Sequence, residues 1–499
     1  MSSDIRDFYR NKNVLVTGAT GFLGKIIVEK LLRTCDVGGI YLIVRPKKGL
    51  CPDERLRNLL EEQVFEKVKV MDINATKKIY IIEGDLSKKG LGLSKDDTEL
   101  IQSIINVVFH CGASLNMDSK LADAVTTNVK GTAEILEIMK EVKNLHAFVL
   151  VSTAYSNCYE RRIEERFYEP PIDPDLLIRM TEDLNEHILA SISPGLIGIW
   201  PNSYVYSKAI AENLLLTKGK NLPVGLFRPA IVTSTVSEPV PGWSDNLYGP
   251  LGILLSSHCG ILRVVRANGD IKSHTVPGDM CINALLCLAW DISQRWKTTS
   301  ENYYPPVLNF SAKGSKLLIP MKQYVDCKKI DYIPFKRAMW YQMLFLVKTK
   351  YNYLIVKFLL HTVPAYLIDS MLIIFCRKPR VKKLYTKLEK ISDVLYYFLI
   401  NEWDIENDNV LKLWEKLKEN DKITFNFDIN TIDMDNYFKN LLIGLKKYVL
   451  KEDMTKCKFH MKRYKRLMLL HFTFKYSLLG FSAYSIFKGV SKLLATKER

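Results

Sequence analysis

The sequence lacks the cysteine and histidine spacing that is typical of a metal site. Its 499 residues include ten cysteines and eight histidines but no Cys-x-x-Cys pair, and such pairs are common among structural zinc sites. The opening residues MSSDIRDFYRNKN are polar, so the apolar region of a secretory signal is missing. We therefore predict that no metal is bound, that the thiols are reduced and that the active region is cytosolic.

Acidic residues are scarce in one part of the chain only. Residues 331–499 contain 31 basic and 17 acidic side chains, whereas residues 1–330 contain 40 and 37. The formal net charge of +17 therefore comes mainly from the last third. A basic region favours an anionic partner, either a membrane surface or nucleic acid. The composition, 47% hydrophobic and 25% charged, excludes a disordered chain.

The first half of the chain alternates short apolar runs with amphipathic helical patterns. Because strands that alternate with helices form parallel sheets, we predict an α/β fold with a doubly wound parallel sheet. Residues 235–330 are rich in Gly and Pro, and the chain from 336 onward is helical, aromatic and basic. The predicted strands are Asn13–Thr17, Ile40–Val44, Ile79–Ile82, Val107–Phe109 and Phe148–Val151.

A glycine-rich turn follows the first predicted strand. Gly18, Gly21 and Gly24 have the spacing G-x-x-G-x-x-G. Glycines let the backbone approach a pyrophosphate closely, and the following helix N-terminus supplies N–H groups to the phosphates. This spacing indicates the short-chain dehydrogenases, and the extended Rossmann-type fold of that group. The predicted cofactor-binding residues of the turn are Gly18, Thr20, Gly21, Phe22, Leu23 and Gly24.

The second predicted strand is not followed by Asp or Glu, which NAD enzymes usually place there to bind the ribose hydroxyls. Arg45 stands in that position, with Lys47 and Lys48 nearby. Because a cation accommodates a 2′-phosphate, we predict that Arg45 binds NADPH. A solvated basic loop is the alternative.

Three further positions are predicted to contact the cofactor because of where they follow strands. Asp85 and Leu86 follow the third strand, at the expected adenine side, and Ala113 follows the fourth, at the nicotinamide side. Arg228 follows the sixth strand and is predicted to line the far side of the cofactor.

Tyr204 and Lys208 are spaced one helical turn apart in PNSYVYSKAIAE, so they share a helix face. Lys208 can hold the nicotinamide ribose and lower the pKa of Tyr204, which can then give a proton to a carbonyl oxygen. Tyr206 has Ile210 four residues on and serves no such role. At the end of the fifth strand, Thr153 is the predicted hydroxyl partner of the substrate carbonyl, with Ser152 as the alternate.

With these motifs in place, the sequence resembles the eukaryotic fatty acyl-CoA reductases over about residues 10–455. The strings that carry the resemblance are TGATGFLGK, VSTAYSNC, PNSYVYSKAIAE, FRPAIV, EPVPGWSDNLYGPLG, HTVPAYLID and FDINTIDMDNYF. The resemblance implies NADPH-dependent reduction of a long-chain acyl-CoA thioester through a hemithioacetal and an aldehyde to a primary alcohol. Met434, Gly278 and Cys376 depart from the family pattern, in which we expect Trp, an aliphatic residue and Gly respectively.

The expected domain boundaries follow from composition, from the apolar stretch near the C-terminus and, for the helical C-terminal domain, from the same resemblance. We expect an NADPH-binding Rossmann domain at 10–234 with an insertion at 158–200, and a substrate-binding region at 235–335. A helical C-terminal domain of the reductases is expected at 355–455, followed by a membrane anchor at 467–487.

The apolar stretch Leu467–Phe487 is about long enough to cross a bilayer, at roughly 20 residues. His471 and Lys475 interrupt it, so an interfacial helix and a soluble core helix are alternatives. Trp340–Phe375 is also apolar, and we expect it to rest on a membrane or form the acyl channel. The resulting expectation is an enzyme on the cytosolic face of the endoplasmic reticulum.

Two competing functions share some of these features. An NAD-dependent sterol dehydrogenase would have the glycine turn and the Tyr/Lys pair but no helical domain after about 350. A Rossmann-type scaffold with a nucleic-acid-binding tail would have polar, basic sequence there. Because the cations interleave with long Leu/Ile/Phe runs, we expect lipid and acyl-CoA partners and no nucleic acid.

Overall fold

The computed structural model describes residues 3–47, 49–299, 302–326 and 334–497. Seven parallel strands form one sheet in the order β11-β7-β5-β4-β1-β2-β3. The strands of the chain are β1 (Asn13–Thr17), β2 (Gly39–Val44), β3 (Ile79–Glu83), β4 (Val107–His110), β5 (Ala147–Val151), β6 (Arg162–Ile163), β7 (Val224–Pro229), β8 (Ile231–Thr233), β9 (Val264–Arg266), β10 (Thr275–Pro277), β11 (Val307–Phe310), β12 (Phe345–Val347) and β13 (Asp404–Ile405).

The central strands are apolar throughout because helices cover both faces of the sheet. Every residue of β4 and β5 is buried, as are the last four of β1. The sheet confirms the predicted doubly wound fold. Its order reverses between β1 and β4, and ligands bind at such a switch point beyond the carboxyl ends of the strands.

The register places these carboxyl ends level with one another. Thr17 pairs with His110 and with Ile43, and His110 pairs with Leu150 on β5. Residues that follow β1, β2, β4 and β5 therefore share one edge of the sheet. That edge is where the sequence predicts the cofactor and the catalytic residues.

Helices connect the strands and build the C-terminal part of the chain. The α-helices are α1 (Asp4–Tyr9), α2 (Phe22–Thr34), α3 (Pro52–Leu60), α4 (Glu66–Met71), α5 (Lys95–Ile104), α6 (Leu121–Ala124), α7 (Gly131–Lys140), α8 (Pro174–Asp183), α9 (Glu186–Ile197), α10 (Ser203–Thr217), α11 (Pro250–His258), α12 (Gly278–Thr299), α13 (Met321–Val325), α14 (Lys350–Lys357), α15 (Val363–Ile374), α16 (Val381–Ile400), α17 (Asp408–Lys416), α18 (Glu419–Thr424), α19 (Met434–Gly444) and α20 (Cys457–Lys497).

The chain forms two compact units. The first comprises residues 1–246, 270–321 and 394–444 and contains the seven-stranded sheet. The second comprises 247–269, 322–393 and 445–499 and contains the two-stranded β9–β12 sheet. The region predicted as a helical C-terminal domain, 355–455, therefore contributes residues to both units.

One helix among the described residues is long and apolar enough to cross a membrane, judged by length and composition. It is Lys350–Ile374, in which the most apolar 18 consecutive residues have a mean hydropathy of 1.4. A π-helical segment, Phe358–Thr362, joins α14 to α15 within it. The predicted anchor Leu467–Phe487 lies instead within α20, a helix of 41 residues. The membrane anchor at 467–487 stays a prediction.

Candidate functional site

The glycine turn between β1 and α2 has no room for side chains at two of its positions. Gly18 has φ +70°, and a Cβ there would lie 2.7 Å from the backbone nitrogen of Gly112. A Cβ on Gly24 would lie 2.4 Å from the carbonyl oxygen of Gly18. The backbone of the turn therefore packs directly against the turn after β4 and against the first turn of α2. This close approach fits a pyrophosphate cradle at a helix N-terminus.

The first side chain of α2 explains why position 278 is a glycine. The Phe22 ring stacks on Trp243 with a centroid distance of 5.2 Å. A Cβ on Gly278 would lie 2.9 Å from the same Phe22 ring. An aliphatic side chain at 278 would displace that ring, so this departure from the family pattern is accommodated by the packing of Phe22.

Two arginines meet at the end of β2. The Arg55 guanidinium, on α3, donates hydrogen bonds to the Arg45 carbonyl oxygen at 2.5 Å and to the Thr20 hydroxyl at 2.9 Å. The Arg45 guanidinium lies 3.6 Å from Asp85, and the position directly after β2 is Arg45 where NAD enzymes usually have an acid. Burial and the charge of Arg45 lower the pKa of Arg55. The end of β2 therefore carries two cations, one of which is paired with Asp85. Lys48 lies outside the described residues.

Sequence reasoning missed Arg55. A signal was present, because it stands ten residues after Arg45 in the same basic connection. Its role was hidden because it lies beyond a turn, on a helix that Pro52 begins.

The turn after β4 is held beneath the glycine turn by a short hydrogen-bond chain. The Thr17 hydroxyl accepts from the Gly112 backbone at 3.0 Å and contacts the His110 ring at 2.8 Å. A Cβ on Gly112 would meet Leu86 at 2.5 Å. Burial lowers the pKa of His110 to about 3, so its imidazole is neutral. Leu86, after β3, and Ala113, after β4, are both half-buried at the predicted edge, and Leu86 contacts the turn that precedes Ala113.

Lys208 reaches the end of β5 from α10. Its buried ammonium donates to the Val151 carbonyl oxygen at 2.7 Å. Burial lowers its pKa to about 8. Tyr204 lies one turn earlier on the same helix and is half-buried, and burial raises its pKa. The predicted direction for Tyr204 was the opposite one. In this geometry Lys208 is directed to the β5 backbone, and loss of hydration dominates at the phenol.

The geometry separates the two hydroxyls that follow β5. The Ser152 hydroxyl donates to Glu212 at 2.5 Å, which commits it to the protein interior. The Thr153 hydroxyl accepts only a weak bond, at 3.2 Å, from the Tyr155 backbone. Its own proton is thus available to another acceptor. Ser152 is thus engaged by Glu212, and the role of Thr153 as the hydroxyl partner of the substrate carbonyl stays a prediction.

Arg228 does not line the cofactor site as predicted. Its side chain has no exposed surface and forms a bidentate ion pair with the Glu212 carboxylate, with N···O distances of 2.6 and 3.1 Å. It also donates to the Glu164 carbonyl oxygen at 3.2 Å. The prediction was wrong because position after a strand fixes the backbone, whereas the long side chain turned inward to a carboxylate. We assign Arg228 a positioning role behind β5 and α10.

Two family models match most of the chain. The NAD-binding model of the male sterility proteins matches residues 16–285, and the second model of that family, Sterile, matches residues 360–452.

Full-length relatives agree with these matches. The chain is 41% identical over 498 residues to "Fatty acyl-CoA reductase wat" of Drosophila melanogaster, covering 97% of this chain and 95% of that one. It is 35% identical over 484 residues to "Fatty acyl-CoA reductase 2" of Homo sapiens, covering 95% and 92%. The chain belongs to the fatty acyl-CoA reductase family.

Solved structures support the fold of this fatty acyl-CoA reductase. The reductase domain of a nonribosomal peptide synthetase from Mycobacterium tuberculosis superposes with a TM-score of 0.57 at 18% identity, covering 89% of this chain and 96% of that one. The terminal reductase domain of the myxalamid pathway gives 0.54 at 18% identity, covering 87% and 90%. These structures show the fold. The NAD-binding family model and the fatty acyl-CoA reductase relatives make the chain an oxidoreductase with a nicotinamide cofactor, and its glycine turn has the close backbone packing that such a cofactor requires.

Asn128 was also missed. Its side-chain oxygen accepts from the Ser114 backbone N–H at 2.7 Å, and its side-chain nitrogen donates to the Ser114 carbonyl oxygen at 3.2 Å. The same nitrogen donates to the Ser207 hydroxyl at 2.9 Å. It therefore ties the turn after β4 to the helix that carries Tyr204 and Lys208. It lies in a π-helical segment, Val125–Lys130, a feature common at functional sites. A buried amide within an apolar helical pattern was the available signal.

An aromatic group from the C-terminal part of the first unit lies close to the predicted catalytic hydroxyl. Tyr155 follows Thr153 by two residues, and its ring makes edge contacts with Phe398 at 5.6 Å and Trp403 at 5.3 Å. The Trp403 indole donates to the Cys158 carbonyl oxygen at 2.9 Å. Tyr155 and Trp403 are buried, so this cluster packs the C-terminal part of the first unit against the segment that follows β5, and only the tertiary fold brings these rings together.

Cys111 is unsuited to covalent catalysis. Burial raises the pKa of its thiol to about 12, despite the nearby charge of Lys208. Because the thiolate is the nucleophile, this thiol is inert near neutral pH. That no cysteine takes part in the chemistry stays a prediction.

Proposed function

We propose that this reductase converts long-chain fatty acyl-CoA to primary fatty alcohol with NADPH, releasing CoA. The observation that carries the proposal is the meeting of two sites at one edge of the sheet. The glycine turn after β1 and the Thr153/Lys208 pair at β5 are brought level by the register of β1, β4 and β5. A dinucleotide whose pyrophosphate binds at the glycine turn would place its nicotinamide near Thr153 and Lys208, where an acyl carbonyl can bind.

The side chains supply the proton and the orientation. When bound, the reduced nicotinamide would supply hydride to the acyl carbonyl carbon. Because its pKa is raised, Tyr204 stays a phenol near neutral pH and can donate its proton to the carbonyl oxygen. The Thr153 hydroxyl can donate a hydrogen bond to the same oxygen. Lys208 would hold the ribose beside the end of β5.

The overall reaction needs two molecules of the reduced cofactor. Reducing a thioester to a primary alcohol adds two hydrides to the acyl carbon and one proton to its oxygen, while a second proton goes to the CoA thiolate that departs. The test is stoichiometry: about two NADPH oxidised for each CoA thiol released. A ratio of one, with aldehyde accumulating, would contradict alcohol formation. Reduction of NAD by a sterol would instead support the competing dehydrogenase.

We assign the preference for NADPH to Arg45 and Arg55. Both guanidiniums lie at the end of β2, where NAD enzymes usually place a carboxylate. Replacing either with Ala should raise the NADPH Kd by about tenfold or more, as for a lost charge-assisted pair, and leave the NADH Kd within about twofold. Arg57→Ala, on the exposed face of the same helix, is the matched control. Equal losses for both cofactors would refute the assignment.

We further propose that α20 holds the enzyme on the cytosolic face of the endoplasmic reticulum. Residues 473–489 of this helix are exposed and mainly apolar, and cations flank the stretch, as is common for membrane anchors. Deleting residues 467–499 should release much of the protein during carbonate extraction, with activity retained in detergent. A truncated chain that stays equally resistant to extraction would exclude Leu467–Phe487 as the anchor.

A further inference from the structure

The second compact unit contains a helical hairpin with an unusual end. Helix α15 ends at Ile374 and α16 begins at Val381. We call residues 371–383 the hairpin tip. Its sequence, MLIIFCRKPRVKK, contains five cations and no acidic residue. Large apolar side chains adjoin these cations, and Ile374 and Phe375 are 75% and 74% exposed.

The hairpin tip is held in a defined conformation. The Asp369 carboxylate accepts hydrogen bonds from the backbone N–H groups of Arg380, Val381 and Lys382, each at 2.9 Å. Cys376 has φ +54°, and the next N–H, of Arg377, returns to the Leu372 carbonyl oxygen at 2.7 Å. This is a helix C-terminal cap. The apolar and cationic side chains are therefore presented together by an ordered turn.

The other side of the hairpin is committed to protein contacts. Lys357 forms an ion pair with Glu389 of α16, and the His361 ring stacks on Tyr385 at 4.5 Å. The His361 ring also accepts from the Arg263 backbone at 3.0 Å. A helix whose polar side chains are used this way is unsuited to crossing a bilayer, although Lys350–Ile374 is long enough. It can lie on a bilayer with its opposite face.

We propose that the hairpin tip is a second lipid contact, which docks shallowly on a membrane that contains anionic lipid. Apolar side chains flanked by cations are the composition of interfacial binders, and the cations match acidic headgroups. Charge complementarity commits the partner to a lipid surface and disfavours a second copy of this chain, whose tip carries the same charge. This contact is separate from the α20 anchor and from every catalytic assignment above.

The test uses the full chain and its own exposed thiols. Cys376 lies within the hairpin tip and Cys51 lies in the first unit, and both are free and exposed. The chain is reconstituted in phosphatidylcholine vesicles, with or without about a third phosphatidylserine, and treated with a polar maleimide. We expect the anionic vesicles to slow Cys376 labelling by roughly fivefold or more, as one or more cation–headgroup contacts would give. Cys51 labelling should not change, and high salt should reverse the effect.

Two charge variants assign the effect to the hairpin. Arg377→Gln/Lys378→Gln/Arg380→Gln should abolish the protection of Cys376 while the chain still floats with vesicles through α20. The matched control Lys67→Gln/Lys69→Gln/Lys95→Gln, which removes three exposed cations of the first unit, should keep it.

Three results would overturn the proposal. The first is equal Cys376 labelling in both vesicle types. The second is loss of protection in the control variant alone. The third is lipid-independent protection that grows with protein concentration, which would assign the surface to a second copy. If the chain does not float with vesicles at all, the proposal that α20 is a membrane anchor is refuted. The hairpin tip is then still tested by whether added anionic vesicles protect Cys376 from labelling.

Discussion

The buried pair between Arg228 and Glu212 gives a sharp test of how the site is built. Arg228→Met removes a guanidinium that has no exposed surface and leaves the Glu212 carboxylate buried, with Ser152 as its remaining partner in the described contacts. A side chain of similar length keeps the packing, so the change acts mainly on charge. Because Arg228 lines no part of the cofactor site, the expected loss is in stability.

The magnitude follows from the burial of both partners. Breaking a fully buried pair by removing one side costs about 3–5 kcal/mol, because the other charge is left without compensation. That is a large share of a typical unfolding free energy of about 5–15 kcal/mol. Replacing both partners, as Arg228→Met/Glu212→Leu, should recover most of the loss, since apolar pairs of similar volume are often neutral. The Ser152 hydroxyl then loses its acceptor, which costs about 1 kcal/mol.

The assay is urea unfolding of both variants, together with NADPH titration of the folded protein. We expect the single variant to unfold at much lower urea, the double variant to lie near the parent, and all three to bind NADPH within about twofold. An Arg228→Met protein of unchanged stability that binds NADPH more than about tenfold weaker would refute the reasoning. Such a result would support the contact between Arg228 and the cofactor that the sequence predicts.

Other parts of the site lead to further predictions. Gly18→Ala should abolish NADPH binding, measured by fluorescence titration, because its Cβ would meet the Gly112 backbone at 2.7 Å and φ is +70°; wild-type affinity would contradict this. The rate should fall as pH rises above about 8, since burial lowers the pKa of Lys208 to about 8 and the ammonium is lost there; a rate that holds to pH 10 would contradict a charged Lys208. Phe398→Ala removes a ring beside Tyr155. It should raise kcat/KM for longer acyl-CoAs relative to kcat/KM for shorter ones, and an unchanged ratio of the two would place the acyl chain elsewhere.

The parts of this molecule that sequence could predict are those with local signals. The glycine turn, the parallel sheet and the helix that carries Tyr204 and Lys208 each depend on spacing within about 20 residues. Even the unexpected Cys376 was recognised as occupying a glycine position, and its φ of +54° shows why.

The parts that sequence missed depend on distant partners. The direction of the Arg228 side chain depends on Glu212, and the β2 end depends on Arg55 reaching back to Thr20. The aromatic contact between Tyr155 and Trp403 joins residues 248 apart in the chain. The spacing of apolar residues along the sequence does not predict such contacts, because they are determined by tertiary packing.

The central claim is that the Tyr204 phenol donates the proton to the acyl oxygen. Tyr206 provides a matched control on the same helix, since its buried hydroxyl has no partner among the described residues. The measurement is alcohol formed from a panel of acyl-CoAs with NADPH, by gas chromatography, for Tyr204→Phe and Tyr206→Phe. We predict a loss of about a hundredfold or more for Tyr204→Phe, with NADPH binding retained, and near-parental activity for Tyr206→Phe. Tyr204→Phe activity above roughly a tenth of the parent would contradict the account, because general acid catalysis usually contributes more than that.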